Sequence, residues 1–180
     1  MKQFNNQSDL TAYWEGFRDK SYQDIGGVWT IGYGTIRING SVVTSDMSCT
    51  QDEALQWLQN DLYCMVPGEY SYLSSFQLDA VRDLAYNIGW GAFPILDSFA
   101  KSQNTAGVAS EFLNDIYVKG TPIIGLVLRR ISEWNTFVNS QYVAWEEGDA
   151  ISSSLKQLLL DANYQTPSAL AMINSFTILN

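Results

Sequence analysis

The chain is predicted to be an α+β protein with two unequal lobes. A small N-terminal lobe carries a short antiparallel sheet, a larger C-terminal lobe is all-helical, and a cleft runs between them. Three observations lead there. Glycines interleave with β-branched and aromatic residues between positions 20 and 45, Asn39-Gly40 sits between two short apolar runs, and from position 50 onward apolar residues recur at helical spacing.

Element by element, Ser8 or Asp9 can cap a first short helix carrying Leu10, Tyr13, Trp14 and Phe17. Asp24-Ile25-Gly26-Gly27 reads as a turn, and the segment from Val28 to Thr35 as strand. Asn39-Gly40, between Ile36–Ile38 and Ser41–Val43, is a two-residue hairpin signal, because both central residues of such a turn need positive φ. Thr50-Gln51-Asp52-Glu53 is a capping box leading into Ala54, Leu55, Leu58 and Leu62 on one face. Ser75 can cap a helix bearing Leu78, Val81, Leu84, Ala85 and Ile88, with Gly89 as its stop. Helical spacing continues over about 106–117 and 123–143. Thr166-Pro167 opens a last helix to about Ile178. The organisation read from this is a domain over 1–147, with one lobe over about 12–62 and the other over about 63–147 plus the N-terminal segment. A helical extension of unknown role follows over 148–180.

Composition bounds the chemistry. Of 180 residues 46% are hydrophobic, enough for a substantial core. The net charge of −9 is spread along the chain, and no basic stripe could track a phosphate backbone, so nucleic acid is not an expected partner. There is no histidine, which excludes a Ser-His-Asp triad and a His-ligated zinc site. Carboxylates are left as the acid/base groups, and no cofactor or metal is expected. Cys49 and Cys64 read as two buried thiols rather than a disulfide framework. The N-terminal residues are polar without the apolar core of a signal peptide, and no apolar stretch is long enough to span a bilayer. Synthesis in the cytoplasm, with no stable membrane insertion, is the expectation.

The informative segment runs from Trp14 to Thr35. Glu15 falls near the end of the first helix beside Trp14 and Phe17, and an apolar wall raises a carboxyl pKa toward what a general acid needs. Asp24 falls in a polar, glycine-flanked turn that suits an ionised carboxylate. Two carboxyls in contrasting environments across a cleft is the arrangement of a glycoside hydrolase. By spacing alone the pair also fits solvated surface charges, as acidic proteins hold many such pairs.

The residues Glu15-Gly16, Tyr22-Gln23-Asp24 and Gly27-Val28-Trp29-Thr30-Ile31-Gly32-Tyr33-Gly34 resemble the active-site stretch of the phage-type lysozymes, also called endolysins or muramidases. Two later segments resemble the same family in the same order. They are Phe76-Gln77-Leu78-Asp79-Ala80-Val81 with Ala85-Tyr86-Asn87-Ile88-Gly89, and Gly125-Leu126-Val127-Leu128-Arg129-Arg130 with Glu133. The resemblance implies a lysozyme-like fold and cleavage of the β-1,4 bond between N-acetylmuramic acid and N-acetylglucosamine in peptidoglycan. It implies Glu15 as general acid, Asp24 as the carboxylate that stabilises developing positive charge and activates water, Thr30 as the hydroxyl that positions that water, and inversion at the anomeric carbon. It further implies Tyr33, Tyr86 and Asn87 as substrate-binding residues, a monomer acting on the glycan strand, and release from the host cytoplasm to the periplasm or cell wall.

The chain departs from the family pattern in three places. Thr35 stands where relatives often have a structural histidine, so the ion pair of that histidine is absent. Leu128 stands where many have another basic residue, so no arginine partner is assigned to Glu15. Residues 148–180 match nothing in the pattern and are open as a helical cap or a surface for a protein partner. For Trp14 and Trp29, sugar stacking and core packing are both open. Tyr86 and Asn87 equally suit a buried ring and a polar helix end. Arg129 and Arg130 read as structural ion-pair or helix-surface residues. Two other functions share the pattern: a delivered antibacterial toxin with the same chemistry, and a non-catalytic wall-binding or virion-structural domain. An intact Glu15, Asp24 and Thr30 speaks against the latter.

Overall fold

The computed structural model describes residues 1–66, 70–89, 91, 93–163 and 166–179. Strand β1 (Lys2–Gln3) leads into helix α1 (Gln7–Glu15), followed by β2 (Arg18–Gln23), β3 (Trp29–Gly32), β4 (Arg37–Ile38) and β5 (Ser41–Val42). Helices α2 (Gln51–Met65), α3 (Ser75–Ile88), α4 (Phe93–Lys101) and α5 (Thr105–Asn114) come next. A hairpin of β6 (Tyr117–Val118) and β7 (Thr121–Pro122) precedes α6 (Ile124–Asn139), β8 (Val143–Ala144), α7 (Ser153–Ala162) and α8 (Pro167–Asn174). The architecture is α+β, as the periodicities predict. Among the described residues no helix is long and apolar enough to cross a membrane.

The turn chemistry is realised at the Asn39-Gly40 hairpin. Asn39 (φ 49°) and Gly40 (φ 83°) join β4 to β5 with Arg37 opposite Val42 and Ile38 opposite Ser41. The Thr50–Glu53 capping box forms in both directions, and Gly89 (φ 85°) ends α3. Other boundaries move for identifiable reasons. Helix α1 is capped by Asn6, whose side chain accepts from the Asp9 amide, while the Ser8 hydroxyl donates to that same Asn6 oxygen. Ser74, not Ser75, caps α3, because only Ser74 has Gln77 three residues on to close a reciprocal box. Helix α6 stops at Ser140, in the left-handed region (φ 55°). There Asn135 Nδ2 and Thr136 Oγ1 both donate to the Gln141 carbonyl and turn the chain back, so Val143 falls in a strand. Helix α5 ends before Tyr117, which pairs in β6 across a Lys119-Gly120 turn with positive φ at both residues. The larger lobe is therefore helical apart from this hairpin and the β1–β8 pair.

Two hydrophobic cores result. The smaller gathers Tyr33, Ala54, Leu58 and Leu62, with Tyr86 of α3 packed against it from the other lobe. The larger forms around α3, α5 and α6, where Ala80, Val81, Leu84, Phe112, Val127 and Ile131 are buried. Residues 148–180 contribute to this same core through Ile151, Leu159, Ala169 and Ile173. Asn163 fastens them further, its Nδ2 donating to the Leu113 and Leu159 carbonyls and its Oδ1 accepting from the Tyr117 hydroxyl. The cysteines correct the expectation of burial. Both are free thiols; Cys64 is exposed and Cys49 half-buried, its Sγ 3.8 Å from the Arg18 carbonyl. Position 64 lies on the outer side of α2, whose inner face is filled by Leu58 and Leu62.

Candidate active site

Glu15 is the last residue of α1, and Gly16 at positive φ (71°) turns the chain out of the helix into β2. Helix geometry places Thr11 and Glu15 one turn apart, on the side of α1 facing α3 and α6. The expected apolar wall is not what Glu15 meets. Its Oε1 accepts from Arg129 Nη1 at 2.7 Å, with the Glu15 side chain 22% exposed and Arg129 5%. Arg129 is the partner that the sequence left unassigned. Leu128 points elsewhere, and the next residue along α6 supplies the guanidinium.

Arg129 is a hub. Its Nη2 donates to Asp83 Oδ1 at 2.8 Å and its Nε to Glu133 Oε1 at 3.2 Å, both carboxylates fully buried. Arg130 Nη2 reaches the same Glu133 oxygen at 2.7 Å and also Asn87 Oδ1 at 2.9 Å. Thr11 Oγ1 donates to Asp83 Oδ1. The surrounding carboxylates hold the Arg129 guanidinium firmly protonated, although burial opposes them. Burial pushes the Glu133 carboxyl up, to about 8, against the pull of both arginines. The arginines are thus structural ion-pair residues, as expected, but buried rather than on a helix surface.

Strands β2 and β3 pair antiparallel with Tyr22 opposite Thr30 and Gln23 opposite Trp29. Asp24 begins the turn between them. Its amide donates to the Val28 carbonyl at 3.0 Å, its Oδ1 accepts from the Val28 amide at 2.8 Å, and its carbonyl accepts from the Gly27 amide. The side chain is exposed, held by one backbone donor and still wetted. Thr30 is nearly buried, and its hydroxyl donates to the Val28 carbonyl at 3.1 Å, which leaves its lone pairs as acceptors.

Tyr86 ties the two sides together. Its hydroxyl donates to the Tyr33 carbonyl at 2.8 Å, spanning the lobes. Burial pushes this phenol far up, and the negative charges of Glu15 and Asp61 and the Tyr22 phenol add to the effect. Glu15, Tyr86 and the strand pair carrying Tyr22 and Thr30 therefore share one neighbourhood. Gly34 is required there. A Cβ at 34 would lie 3.1 Å from the Tyr86 hydroxyl, and φ is 103°. Tyr33 presents its carbonyl rather than its ring. The ring is 4% exposed, lies 5.5 Å from that of Phe17, and its hydroxyl accepts from Gln51 Nε2. Asn87 is tied to Arg130, and Trp14 is half-buried with an indole N–H that finds no partner among the described residues, which favours packing over stacking. Trp29 is half-buried in β3.

Thr35 donates to Asp61 Oδ2 at 3.3 Å. A cavity of about 480 Å³ lies on the far side of α1, lined by Phe4, Tyr13, Phe17 and Tyr33, and includes neither Glu15 nor Asp24. Volume alone does not mark the chemistry here; the carboxylates do. Among the described residues no group of three or more Cys, Asp and Glu side chains is placed to hold a metal ion. Asp83 and the Arg129 contact are what sequence reasoning missed. The available signal was an acid at position 83 on the face of α3 that also carries Ala80 and Leu84.

A two-lobed α+β fold with a glutamate ending α1 and a small antiparallel hairpin beside the helices is that of a lysozyme-like protein. The phage lysozyme family model matches residues 12–133, and the chain belongs to that family. It is 33% identical over 142 residues to an endolysin of Acyrthosiphon pisum secondary endosymbiont phage 1, covering 69% of this chain and 89% of that one. Among solved structures it is similar to the endolysin of Escherichia coli O157:H7 phage FAHEc1, with 30% identity, a TM-score of 0.63, and 79% and 97% of the two chains covered. It is also similar to a mutant of P22 lysozyme, with 29% identity, a TM-score of 0.61, and 77% and 99% covered. The chain is a lysozyme, an enzyme whose family acts on peptidoglycan.

Proposed function

We propose that the chain hydrolyses the β-1,4 bond between N-acetylmuramic acid and N-acetylglucosamine, with Glu15 protonating the glycosidic oxygen. Asp24 stabilises the oxocarbenium-like charge and activates water, and Thr30 accepts a hydrogen bond from that water. Inversion requires the water to enter from the face opposite the acid, with about 6.5–9.5 Å between the two carboxyls. Tyr86 and Asn87 line the sugar-facing side of α3, and Tyr33 acts through its carbonyl by fixing Tyr86. The observation that carries this reading is the meeting of Glu15, Tyr86 and the β2–β3 hairpin in one neighbourhood, with Asp24 held by the Val28 amide at the hairpin turn.

In this reading the enzyme works as a monomer on the glycan strand, is made in the host cytoplasm and reaches the wall after release. The unit over 1–147 carries the catalytic groups. Residues 148–180 support it from the far side of the large core, and a protein partner there would meet the exposed faces of α7 and α8.

Purified peptidoglycan digested with the full chain should yield products with reducing ends at muramic acid by mass spectrometry. Anhydro-muramic products would instead make the enzyme a lytic transglycosylase. Glu15→Gln should abolish wall clearing while the circular dichroism spectrum stays native. Full activity in that variant would remove Glu15 from the mechanism.

A further inference from the structure

A cavity of about 380 Å³ lies where α1, α2 and α3 meet, lined by Gln7 and Ser8, Gln59 and Tyr63, and Asp79 and Arg82. Through α2 it joins the small lobe to the large one. Glu15, Asp24 and Thr30 are not among its lining residues. Gln7 is the first residue of α1 and Glu15 the last, which puts the two about 12 Å apart along the helix axis. The cavity is therefore separate from the candidate active site, and its walls are almost entirely polar.

Two of those polar groups are left unmet. Gln7 is only 6% exposed, and its Nε2 donates to Thr11 Oγ1 at 3.0 Å. The Thr11 hydroxyl spends its own proton on Asp83 Oδ1, so it can only accept from Gln7, and the amide cannot be flipped. Gln7 Oε1 is thereby turned away from Thr11, and it is buried without a donor among the described residues. Arg82 supplies the opposite case. Its Nη1 makes a long contact with Asp79 Oδ1 at 3.5 Å, while its buried Nε has no acceptor among the described residues. A buried donor or acceptor in this state has lost its hydration without a bond to replace it. One acceptor and one donor on side chains lining the same cavity call for a ligand that offers both.

Charge narrows the choice. Among the lining residues Arg82 and Asp79 carry opposite charges that cancel, so neither a phosphate nor a metal ion is compensated there, whereas a neutral amide is. The Tyr63 ring is 72% exposed, and the Arg82 guanidinium sits 5.2 Å from its centroid and steadies it. A ring so held and largely open suits the apolar face of a sugar. We propose that this cavity is a second glycan site that takes one N-acetylglucosamine unit of the wall away from Glu15. The acetamido N–H donates to Gln7 Oε1, its carbonyl accepts from Arg82 Nε, and the pyranose ring rests on Tyr63. The choice of glycan rests on the chain acting on peptidoglycan. Two attachment points on one polymer raise the local concentration of strand, so the pocket acts on retention and not on the bond-breaking step.

The test begins with an NMR titration of the wild-type chain with N-acetylglucosamine. The side-chain amide signals of Gln7 and Gln59 and the ring signals of Tyr63 should shift together with one Kd. Glucose, which lacks the acetamido group, should bind about tenfold more weakly or worse. Shifts confined to the β2–β3 hairpin overturn the proposal, as do equal shifts with glucose. A wall stem peptide that moves the Gln7 and Tyr63 signals where the sugar does not would make this a peptide site, and the proposal falls. The second arm is Tyr63→Ala, at a position exposed enough to leave the fold intact. It should raise KM on insoluble peptidoglycan roughly three- to tenfold with kcat unchanged. Hydrolysis of short soluble glycan oligomers, which cannot reach both sites at once, should not change. An unmoved KM on the insoluble wall, or an equal loss on both substrates, overturns the proposal. A chain that binds the sugar at Gln7 and Tyr63 but cleaves no glycan would sink the enzymatic reading and leave the pocket standing, and an active chain with a silent pocket would do the reverse.

Discussion

Glu15 and Asp24 carry the same functional group in opposite settings. Asp24 is exposed and held by one backbone amide four positions on, so the local sequence accounts for nearly everything it touches. Glu15 is mostly buried, and its partner arrives from 114 positions away, on a helix that also serves Asp83 and Glu133. The difference separates two ways of controlling a carboxylate. At the turn, water and one backbone donor hold it without help from elsewhere. At the helix end, a shared cation fixes its direction, and the neighbouring acids hold that cation in place. The first is robust to distant change, and the second is only as good as the whole cluster.

Breaking the comparison at its hub should have the largest effect. Arg129→Met removes the cation and leaves Asp83 and Glu133 buried with only Arg130 to compensate. Loss of one partner from a buried ion pair costs about 3–5 kcal/mol. Urea unfolding should show that loss, and unchanged stability would mean the carboxylates simply take up protons at no cost. Asp24→Asn is the counterpart. It should lower kcat by roughly 10²–10⁴-fold, the usual span for acid–base groups, while leaving the unfolding midpoint where it was, since an asparagine oxygen can still accept from Val28. A fall in stability as large as that of Arg129→Met would erase the distinction between the two sites.

This contrast also explains what the sequence reveals and what it hides. Elements whose cause is local were legible: the Asn39-Gly40 turn, the Thr50–Glu53 box and the Gly89 stop. The misses have tertiary causes. Helix α4 was not foreseen; its Pro94 sits in the first turn, where proline gives up no helical hydrogen bond. The shift of the α3 cap by one residue turns on which serine has a glutamine three positions on. The Arg129 contact depends on how α6 is rotated against α1 and α3, which periodicity does not report. The contact is made by the neighbour of Leu128 on α6.

Asp61 stands between the two extremes and sharpens the comparison. It is half-buried with the Thr35 hydroxyl as its donor and no cation, and burial raises its pKa above the ordinary carboxylate value. A raised carboxyl pKa means the folded state prefers the protonated form. That contribution is fully present below the unfolded value of about 4 and is lost as pH rises through the folded one. Glu111 and Asp115 are raised in the same direction, also chiefly by burial. Asp61→Asn should therefore raise Tm at pH 7 and have no such effect at pH 3. Thermal melts at the two values check the sign, and a variant stabilised equally at both would show that charge is not the cause.

The smallest expected effect is that of salt, and it divides the two settings again. At low ionic strength the net charge of −9 opposes approach to an anionic wall, and the repulsion reaches across a Debye length of about 30 Å at 0.01 M but only about 10 Å at 0.1 M. Raising salt over that range should increase wall clearing a few-fold, because exposed acids such as Asp24 are screened. The buried cluster lies beyond the reach of mobile ions, so the pH profile that reports on Glu15 should keep its shape as the rate rises. A monotonic fall in activity with salt would mean that some local attraction outweighs the overall repulsion. A limb that shifted with ionic strength would mean that the Arg129 set is far wetter than its burial indicates.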